Sequence, residues 1–128
     1  MALKLDLPST FLGWAGVPIP ASYQGDSLKS VLRGESQPAG WRIDFFCEHF
    51  NPRYSMSWEA VRGKRFKYAR YVDQELAFEF LHDLLNDPDE LTNLAGNVQH
   101  RALLIQMRQR TDALAENYAK GLSEAAVP

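Results

Sequence analysis

The sequence has little cysteine and no long apolar run. Cys47 is the only cysteine among 128 residues, which excludes an internal disulfide. No stretch is long and apolar enough to predict a membrane span. The start, Met-Ala-Leu-Lys-Leu-Asp-Leu-Pro, lacks the basic region followed by an apolar region that marks a signal peptide. These absences leave the compartment of the protein undetermined.

The sequence also lacks a strong charge of either sign. The chain has fourteen basic and sixteen acidic residues, which give a formal net charge of -2. A strongly basic surface is the usual mark of a protein that binds nucleic acid or an anionic membrane, so we predict neither as a partner. Apolar residues make up 45% of the chain and charged residues 23%. These fractions are typical of a globular protein, and the length is enough for one domain.

The residue patterns predict an α+β fold: a short N-terminal helix, an antiparallel sheet of about four strands and a long C-terminal helix. The first helix is predicted over residues 6–15, with Asp6 as its N-cap and Gly16 as its end. Its apolar faces are formed by Leu7, Phe11, Leu12 and Trp14. Strands are predicted over residues 41–50, 58–62, 65–72 and 78–84, with Gly63-Lys64 as a type II′ hairpin turn.

The last helix is predicted over residues 98–120. Its buried stripe consists of apolar residues at helical spacing: Leu103, Leu104, Met107, Leu114 and Tyr118. Glu116 and Lys120 form an i,i+4 pair on its outer side.

A helical turn is predicted at residues 87–90, just before this helix. Asp87 is its N-cap, Pro88 occupies the first helical position, and Glu90 closes a capping box. With Asn86 and Asp89, these acids superficially resemble a calcium loop. The spacing lacks the ligand series and mid-loop glycine of an EF-hand, and capping explains the acids more simply. We therefore predict no metal site here.

Three segments carry a resemblance to a known family. The first runs from residue 7 to 28 and contains Thr10-Phe11-Leu12, Ala15-Gly16-Val17-Pro18 and Gln24-Gly25-x-Ser27-Leu28. The second is Ala60-Val61-Arg62 followed by Arg65-Phe66-Lys67-Tyr68. The third and most specific is Phe80-x-x-Asp83-Leu84-x-Asn86-Asp87-Pro88-x-Glu90-x-x-Asn93-Leu94-Ala95. In this order they resemble the C-terminal subdomain of the sulfatase family, the arylsulfatases and related sulfohydrolases, from about Leu5 to Leu114.

The resemblance implies a division of the chain and a partner. Residues 1–36 would be the end of a catalytic-domain-like part, and residues 37–128 the C-terminal α+β subdomain. The chain would complete the fold and the rim of the substrate cleft of a sulfuric ester hydrolase. Its partner would be a catalytic sulfatase domain, in the same gene or a neighbouring chain, or a second copy through the docking face. An alternative is a free-standing, non-catalytic interaction module with the same fold.

The resemblance also implies that the chemistry lies elsewhere. The family uses a formylglycine, made from Cys or Ser in Cys-x-Pro-Ser-Arg, and a divalent cation, Ca²⁺ or Mg²⁺. Cys47 stands in Phe-Cys-Glu-His-Phe, without Pro-Ser-Arg after it, and the family's metal-binding carboxylates lie upstream of the matched region. We therefore predict no catalytic residue, no metal site and no cofactor in this chain, which alone would be inactive. Family members are often periplasmic or secreted.

The candidate substrate-binding residues are Glu48, His49 and Arg53. They lie at the end of a predicted strand and in the loop after it, a region that approaches the mouth of the active-site cleft in the family. His and Arg can donate hydrogen bonds to sugar hydroxyls or to a sulfate group. The alternative for His49 is a strand-end histidine satisfied by its neighbours. Cys47 is interpreted as a core thiol.

A basic cluster lies on the predicted hairpin: Arg62, Lys64, Arg65, Lys67 and Arg70. It could bind an acidic glycan or nucleic acid. We interpret it instead as an ordinary solvated hairpin whose cations pair with neighbouring acids.

Overall fold

The computed structural model describes residues 1–36, 39–54, 56–74 and 78–125. Its helices are α1 (Asp6–Ala15), α2 (Lys29–Leu32) and α3 (Arg101–Ala125), with 3₁₀-helices at Pro52–Tyr54 and Val98–His100. Its strands are β1 (Asp44–His49), β2 (Trp58–Gly63), β3 (Phe66–Tyr71) and β4 (Glu79–Asp83). These elements confirm the predicted α+β class. In the described part of the chain, no helix is long and apolar enough to cross a membrane.

The chain divides into two compact units. The N-terminal unit is Met1–Arg42 together with the chain from Ala119 onward, and the sheet unit is Ile43–Tyr118. The assignment of residues 1–36 to the end of a catalytic-domain-like part stays a prediction.

The four strands form one antiparallel sheet in the order β1-β2-β3-β4. One residue from each strand falls in a single row across it: Phe46, Val61, Tyr68 and Leu81. Helix α3 packs on this face, where Tyr68, Leu81 and Leu104 form a buried cluster with Leu103 and Met107 against it. Phe46 stacks on Tyr118 with ring centroids 5.7 Å apart. We call this the helix-covered face, and the other the second face.

The predicted stripe of α3 is therefore confirmed at Leu103, Leu104, Met107 and Tyr118. Prediction missed Thr111, which is fully buried and donates its hydroxyl to the Met107 carbonyl oxygen at 2.8 Å. The predicted Glu116–Lys120 pair falls outside the side chains that the structure describes.

Ion pairs join α3 to the sheet around this core. Arg70 Nη2 lies 2.7 Å from carboxylate oxygens of both Glu59 and Asp112, and Arg110 Nε lies 2.7 Å from Asp44 Oδ2. On the hairpin, Arg65 pairs with Asp83 and Lys67 pairs with Glu90. The interpretation of the basic hairpin as cations that pair with acids is confirmed for Arg65, Lys67 and Arg70.

The hairpin turn lies one residue later than predicted. Arg62 pairs with Lys67, so the strands continue through Gly63 and Phe66 and the connecting residues are Lys64 and Arg65. Gly63 is not among the described glycines with positive φ, so the type II′ prediction is wrong. The observed register places Val61 opposite Tyr68 in the buried row, so core packing outweighs the local turn preference.

Helix α1 has its predicted bounds, and Gly16, at φ 70°, ends it in the left-handed conformation. The prediction that Asp6 is the N-cap is wrong, because Leu5 occupies that position and Asp6 is the first residue of the helix. The Asp6 carboxylate is fully buried and is held by Arg42, with Nη1 2.6 Å from Oδ2. A partner 36 residues along the chain thus takes the carboxylate that a local cap would have used.

The buried side of α1 is polar. Its buried residues are Asp6, Ser9 and Thr10, whereas Phe11 and Trp14 are 60% and 53% exposed. Ser9 Oγ donates to the Gly25 carbonyl oxygen at 2.6 Å, and Thr10 Oγ1 accepts from the Leu28 amide at 2.9 Å. The connection after α1 needs these partners because its backbone groups are not paired in a sheet or helix.

Candidate functional site

A row of rings crosses the second face of the sheet at one end. His49 pairs with Trp58 across β1 and β2, and Trp58 pairs with Tyr71 across β2 and β3. The Tyr71 amide donates to the Phe78 carbonyl oxygen at 3.0 Å, which places Phe78 at the end of the row. We call His49, Trp58, Tyr71 and Phe78 the aromatic row.

The rings of the aromatic row contact one another in pairs. The centroids of His49 and Trp58 are 6.0 Å apart, as are those of Tyr71 and Phe78. Phe80 meets Phe78 edge-on at 4.9 Å. Phe78 is 52% exposed and His49 is exposed. Exposed rings in a row can stack on a sugar or pack against another protein surface.

The structure separates the three predicted substrate-binding residues. His49 belongs to the aromatic row, whereas Glu48 lies on the helix-covered face because successive strand residues point to opposite faces. Arg53 lies in the 3₁₀-helix after β1, with its guanidinium carbon 5.5 Å from the centre of the Tyr54 ring. Their role in binding substrate stays a prediction.

Trp58, Tyr71 and Phe78 were not singled out from the sequence. Each is an aromatic residue at or next to an end of a predicted strand, and this position is the signal that the sequence carries. Joining them into one row requires the pairing of the strands.

Cys47 has the environment of a structural thiol. It lies on the second face of β1, and its Sγ donates to the Ala60 carbonyl oxygen at 3.7 Å. Burial raises the pKa of the thiol, whereas a reactive cysteine has a lowered pKa. Among the residues that the structure describes, no group of three or more His, Cys, Asp or Glu side chains could hold a metal ion. The described residues therefore do not fit a centre built from formylglycine and a divalent cation.

The acidic segment after β4 is a series of turns rather than a helical turn. Asp87 accepts hydrogen bonds from the amides of Leu91 at 3.1 Å and Thr92 at 2.8 Å. Glu90 has φ 56°, a value that breaks a right-handed helix, and its side chain pairs with Lys67. The predicted helical turn and capping box are therefore wrong, although Asp87 does bind backbone amides.

Asp83, the last residue of β4, accepts more hydrogen bonds than Asp87 does. Arg65 Nη2 lies 2.7 Å from its Oδ2, and the Asn86 side-chain amide donates to the same oxygen at 2.9 Å. The Leu85 amide donates to its Oδ1 at 3.2 Å. The hydrogen bonds from Arg65, Leu85 and Asn86 outweigh burial and lower the pKa of Asp83 to about 2.

We expect this carboxylate to make stability depend on acid pH. An aspartate in an unfolded chain has a pKa of about 3.9. Folding lowers the pKa of Asp83 to about 2. The stabilisation that the Asp83 carboxylate gives the folded state is therefore complete at a pH above the pKa of the unfolded chain, and it is lost as the pH falls towards 2. Urea unfolding at several pH values should show Asp83→Asn less stable than the parent at pH 6, with a difference that shrinks between pH 4 and pH 2.

Asp89→Asn is the control, since Asp89 is an exposed acid of the segment that follows β4. It should leave the pH dependence of the parent chain unchanged. A difference between Asp83→Asn and the parent that stays constant from pH 6 to pH 2 would contradict the assignment.

Comparison with known proteins gives one consistent answer. Residues 1–117 match the family described as "N-sulphoglucosamine sulphohydrolase, C-terminal". The chain is 28% identical over 126 residues to an N-acetylglucosamine-6-O-sulfatase of Bacteroides thetaiotaomicron, covering 92% of this chain and 22% of that protein. It is 34% identical over 109 residues to a Δ4,5-hexuronate-2-O-sulfatase of the same organism, covering 84% of this chain and 22% of that protein.

A solved structure agrees with these relatives. It is described as a complex with its substrate D-glucosamine-2-N,6-O-disulfate, and it matches with a TM-score of 0.75 at 26% identity, covering 92% of this chain and 24% of that one. The chain thus spans 22% of the length of the two relatives above. In full-length sulfatases this domain pairs with a larger catalytic domain. The family match over residues 1–117 shows that the chain belongs to the sulfatase family, as its C-terminal domain.

Proposed function

We propose that the chain completes the fold and the rim of the substrate cleft of a sulfuric ester hydrolase and has no catalytic residues of its own. The observation that carries the proposal is the aromatic row, in which His49 and Phe78 are exposed and Trp58 and Tyr71 are half-buried. Helix α3 covers one face of the sheet, whereas Phe78 at the end of this row on the second face is 52% exposed. Apolar rings left exposed at one place favour burial against a partner. The partner that fits is the catalytic portion of a sulfatase.

The sequence supports the absence of catalytic residues. Its only cysteine is Cys47, and Glu-His-Phe follows where the family's motif requires x-Pro-Ser-Arg. The Asp83 carboxylate, at the end of β4, is already bound to Arg65, Leu85 and Asn86. A formylglycine and a Ca²⁺ or Mg²⁺ ion would belong to the catalytic portion, encoded upstream of Met1 or by a neighbouring gene.

His49 is the residue of this chain that we place at the rim of the cleft. One face of its ring stacks on Trp58, which orients the imidazole, and the side chain is exposed at the end of β1. An imidazole held in this way can donate a hydrogen bond to a sugar hydroxyl or a sulfate oxygen. Glu48 lies on the helix-covered face and Arg53 in the 3₁₀-helix after β1, so we do not place them beside His49 at the rim.

In the enzyme assembled with its catalytic portion, we expect His49→Ala to lower kcat/KM by about tenfold, the effect of losing one charge-assisted hydrogen bond. Lys64→Ala is the control, because Lys64 is exposed at the opposite end of the hairpin. It should change kcat/KM by less than about twofold. An unchanged kcat/KM for His49→Ala would show that His49 does not lie at the rim of the cleft. It would not contradict the pairing of the chain with the catalytic portion.

A free-standing interaction module is the second candidate, favoured by the same partly exposed aromatic row. Such a module would cover the aromatic row with a second copy of the chain. Light scattering over a range of concentrations tests this: a dimer favours the module, and a clean monomer counts against it.

A further inference from the structure

The N-terminal unit contains an open cleft of about 430 Å³. This volume falls within the range of about 300–1,000 Å³ that is usual for small-ligand sites. Most residues that line the cleft carry a charge, a hydroxyl or an indole ring: Asp26, Ser27, Lys29, Ser30, Arg33, Glu35 and Trp41.

Two cations lie on one side of α2. Lys29 begins the helix and Arg33 follows its last residue, so they are four residues apart and neighbours on the helix surface. Among the residues that the structure describes, Lys29 Nζ donates one hydrogen bond, to the Gly13 carbonyl oxygen at 2.9 Å, and an ammonium group has three donors. Arg33 is exposed, and its side chain makes no ion pair within the described residues. Together they offer donors to a sulfate or carboxylate group.

Two carboxylates supply acceptors in the same cleft. The Asp26 side chain is 62% exposed, with Oδ2 bound by Arg42 at 2.7 Å, and Glu35 is exposed as well. Carboxylate oxygens accept several hydrogen bonds, so both can still take hydroxyl donors. Because these two acids balance the two cations in number, the cleft is not suited to a bare anion. A ligand with one anionic group and several hydroxyls matches it better.

Trp41 adds a fixed flat surface. Its indole N–H donates to the Met1 carbonyl oxygen at 3.0 Å, and the Arg42 guanidinium carbon lies 5.2 Å from its ring centre. These contacts hold the ring at the wall of the cleft. An indole ring has an apolar face with a large contact area, against which the C–H face of a pyranose can pack.

We infer that this cleft binds a sulfated saccharide unit. Lys29 and Arg33 bind its sulfate group, Asp26 and Glu35 accept its hydroxyls, and its ring packs on Trp41. The inference rests on the proposed function in one respect, since a sulfatase is the protein that meets such a ligand. It adds a binding site within the N-terminal unit, formed wholly by residues of this chain.

Titration of the full 128-residue chain with D-glucosamine-2-N,6-O-disulfate tests the inference. ¹H–¹⁵N spectra should show saturable shifts at the Trp41 indole N–H and at the amides of residues 26–30. D-Glucosamine and sodium sulfate are the two comparison ligands. The disulfated sugar should bind at least about tenfold more tightly than either, because only it engages the cations and the acceptors together.

Two matched variants locate the site. Arg33→Ala should weaken binding of the disulfated sugar by about tenfold, and Arg33→Lys should restore part of the loss because the charge is kept. Arg62→Ala removes an exposed arginine of the sheet unit and should leave the dissociation constant within about twofold.

Three results would overturn the inference: sodium sulfate binding as tightly as the sugar, Arg62→Ala weakening binding as much as Arg33→Ala, or no saturation at about 10 mM ligand. The titration uses no catalytic portion and measures no turnover. A failure here is therefore separate from a failure of the chain to pair with a catalytic portion.

Discussion

Arg42→Ala is expected to lower the free energy of unfolding by about 3 kcal/mol, because it leaves a buried carboxylate without its cation. Asp6 is completely buried, and Arg42 binds both of its oxygens, at 2.6 Å and 2.8 Å. Burial favours the neutral acid, but hydrogen bonds from Arg42, Leu3 and Asp26 outweigh it and hold the pKa of Asp6 below its usual value. Without Arg42 the desolvation cost of the carboxylate remains and its main partner is gone.

Asp26→Asn is the matched control for this prediction. Asp26 accepts from the same guanidinium at 2.7 Å but is 62% exposed, so its loss should cost less than about 1 kcal/mol. Adding Asp6→Asn to Arg42→Ala should recover part of the stability, since the buried charge is then removed too. Urea unfolding followed by tryptophan fluorescence measures all three. Equal costs for Arg42→Ala and Asp26→Asn would contradict the account of this ion pair.

The second large effect concerns assembly rather than stability. Phe78→Asp should weaken association with the catalytic portion by at least about thirtyfold, since an aromatic ring that becomes buried in an interface can contribute about 2 kcal/mol or more. Phe78 is 52% exposed, so the same change should lower the stability of the chain alone by only about 1 kcal/mol. A large loss of affinity for the catalytic portion together with a small loss of stability of the chain identifies a docking residue, whereas a large loss of stability identifies a core residue.

Val98→Asp is the control for Phe78→Asp. Val98 is 81% exposed and lies just before α3, which packs on the helix-covered face. The variant introduces the same charge at an exposed apolar position outside the second face. It should bind the catalytic portion with unchanged affinity. Loss of binding by both variants would mean that charge alone, and not the aromatic row, governs the association.

The elements with a strong apolar period could be predicted from the sequence. The stripe of α3 has a helical spacing over several turns. Runs of aromatic and β-branched residues bounded by turn residues predicted four strands that lie close to the observed ones. Gly16 marks the end of α1 because the left-handed conformation there favours glycine. Each of these signals depends on residues that are close together in the sequence, so it can be recognised without knowing the tertiary fold.

The errors arise where a distant partner changes the role of a residue. Asp6 is of a residue type that is preferred at N-caps, but its partners Asp26 and Arg42 lie 20 and 36 residues away. Glu90 has the spacing of a capping box, yet it pairs with Lys67 of β3. The aromatic row likewise depends on strand pairing. Sequence spacing could not reveal any of these contacts, because each joins segments that only the tertiary fold brings together.

The most direct test of the central claim is to assemble the chain with its catalytic portion. That portion is recognised by a Cys-x-Pro-Ser-Arg motif in the DNA upstream of Met1 or in a neighbouring gene. It should be produced alone, with the 128-residue chain and with the Phe78→Asp chain, and hydrolysis of an aryl sulfate should be measured for each. We predict turnover only with the parent chain, which co-purifies with the catalytic portion. Equal turnover with and without the chain would contradict the claim.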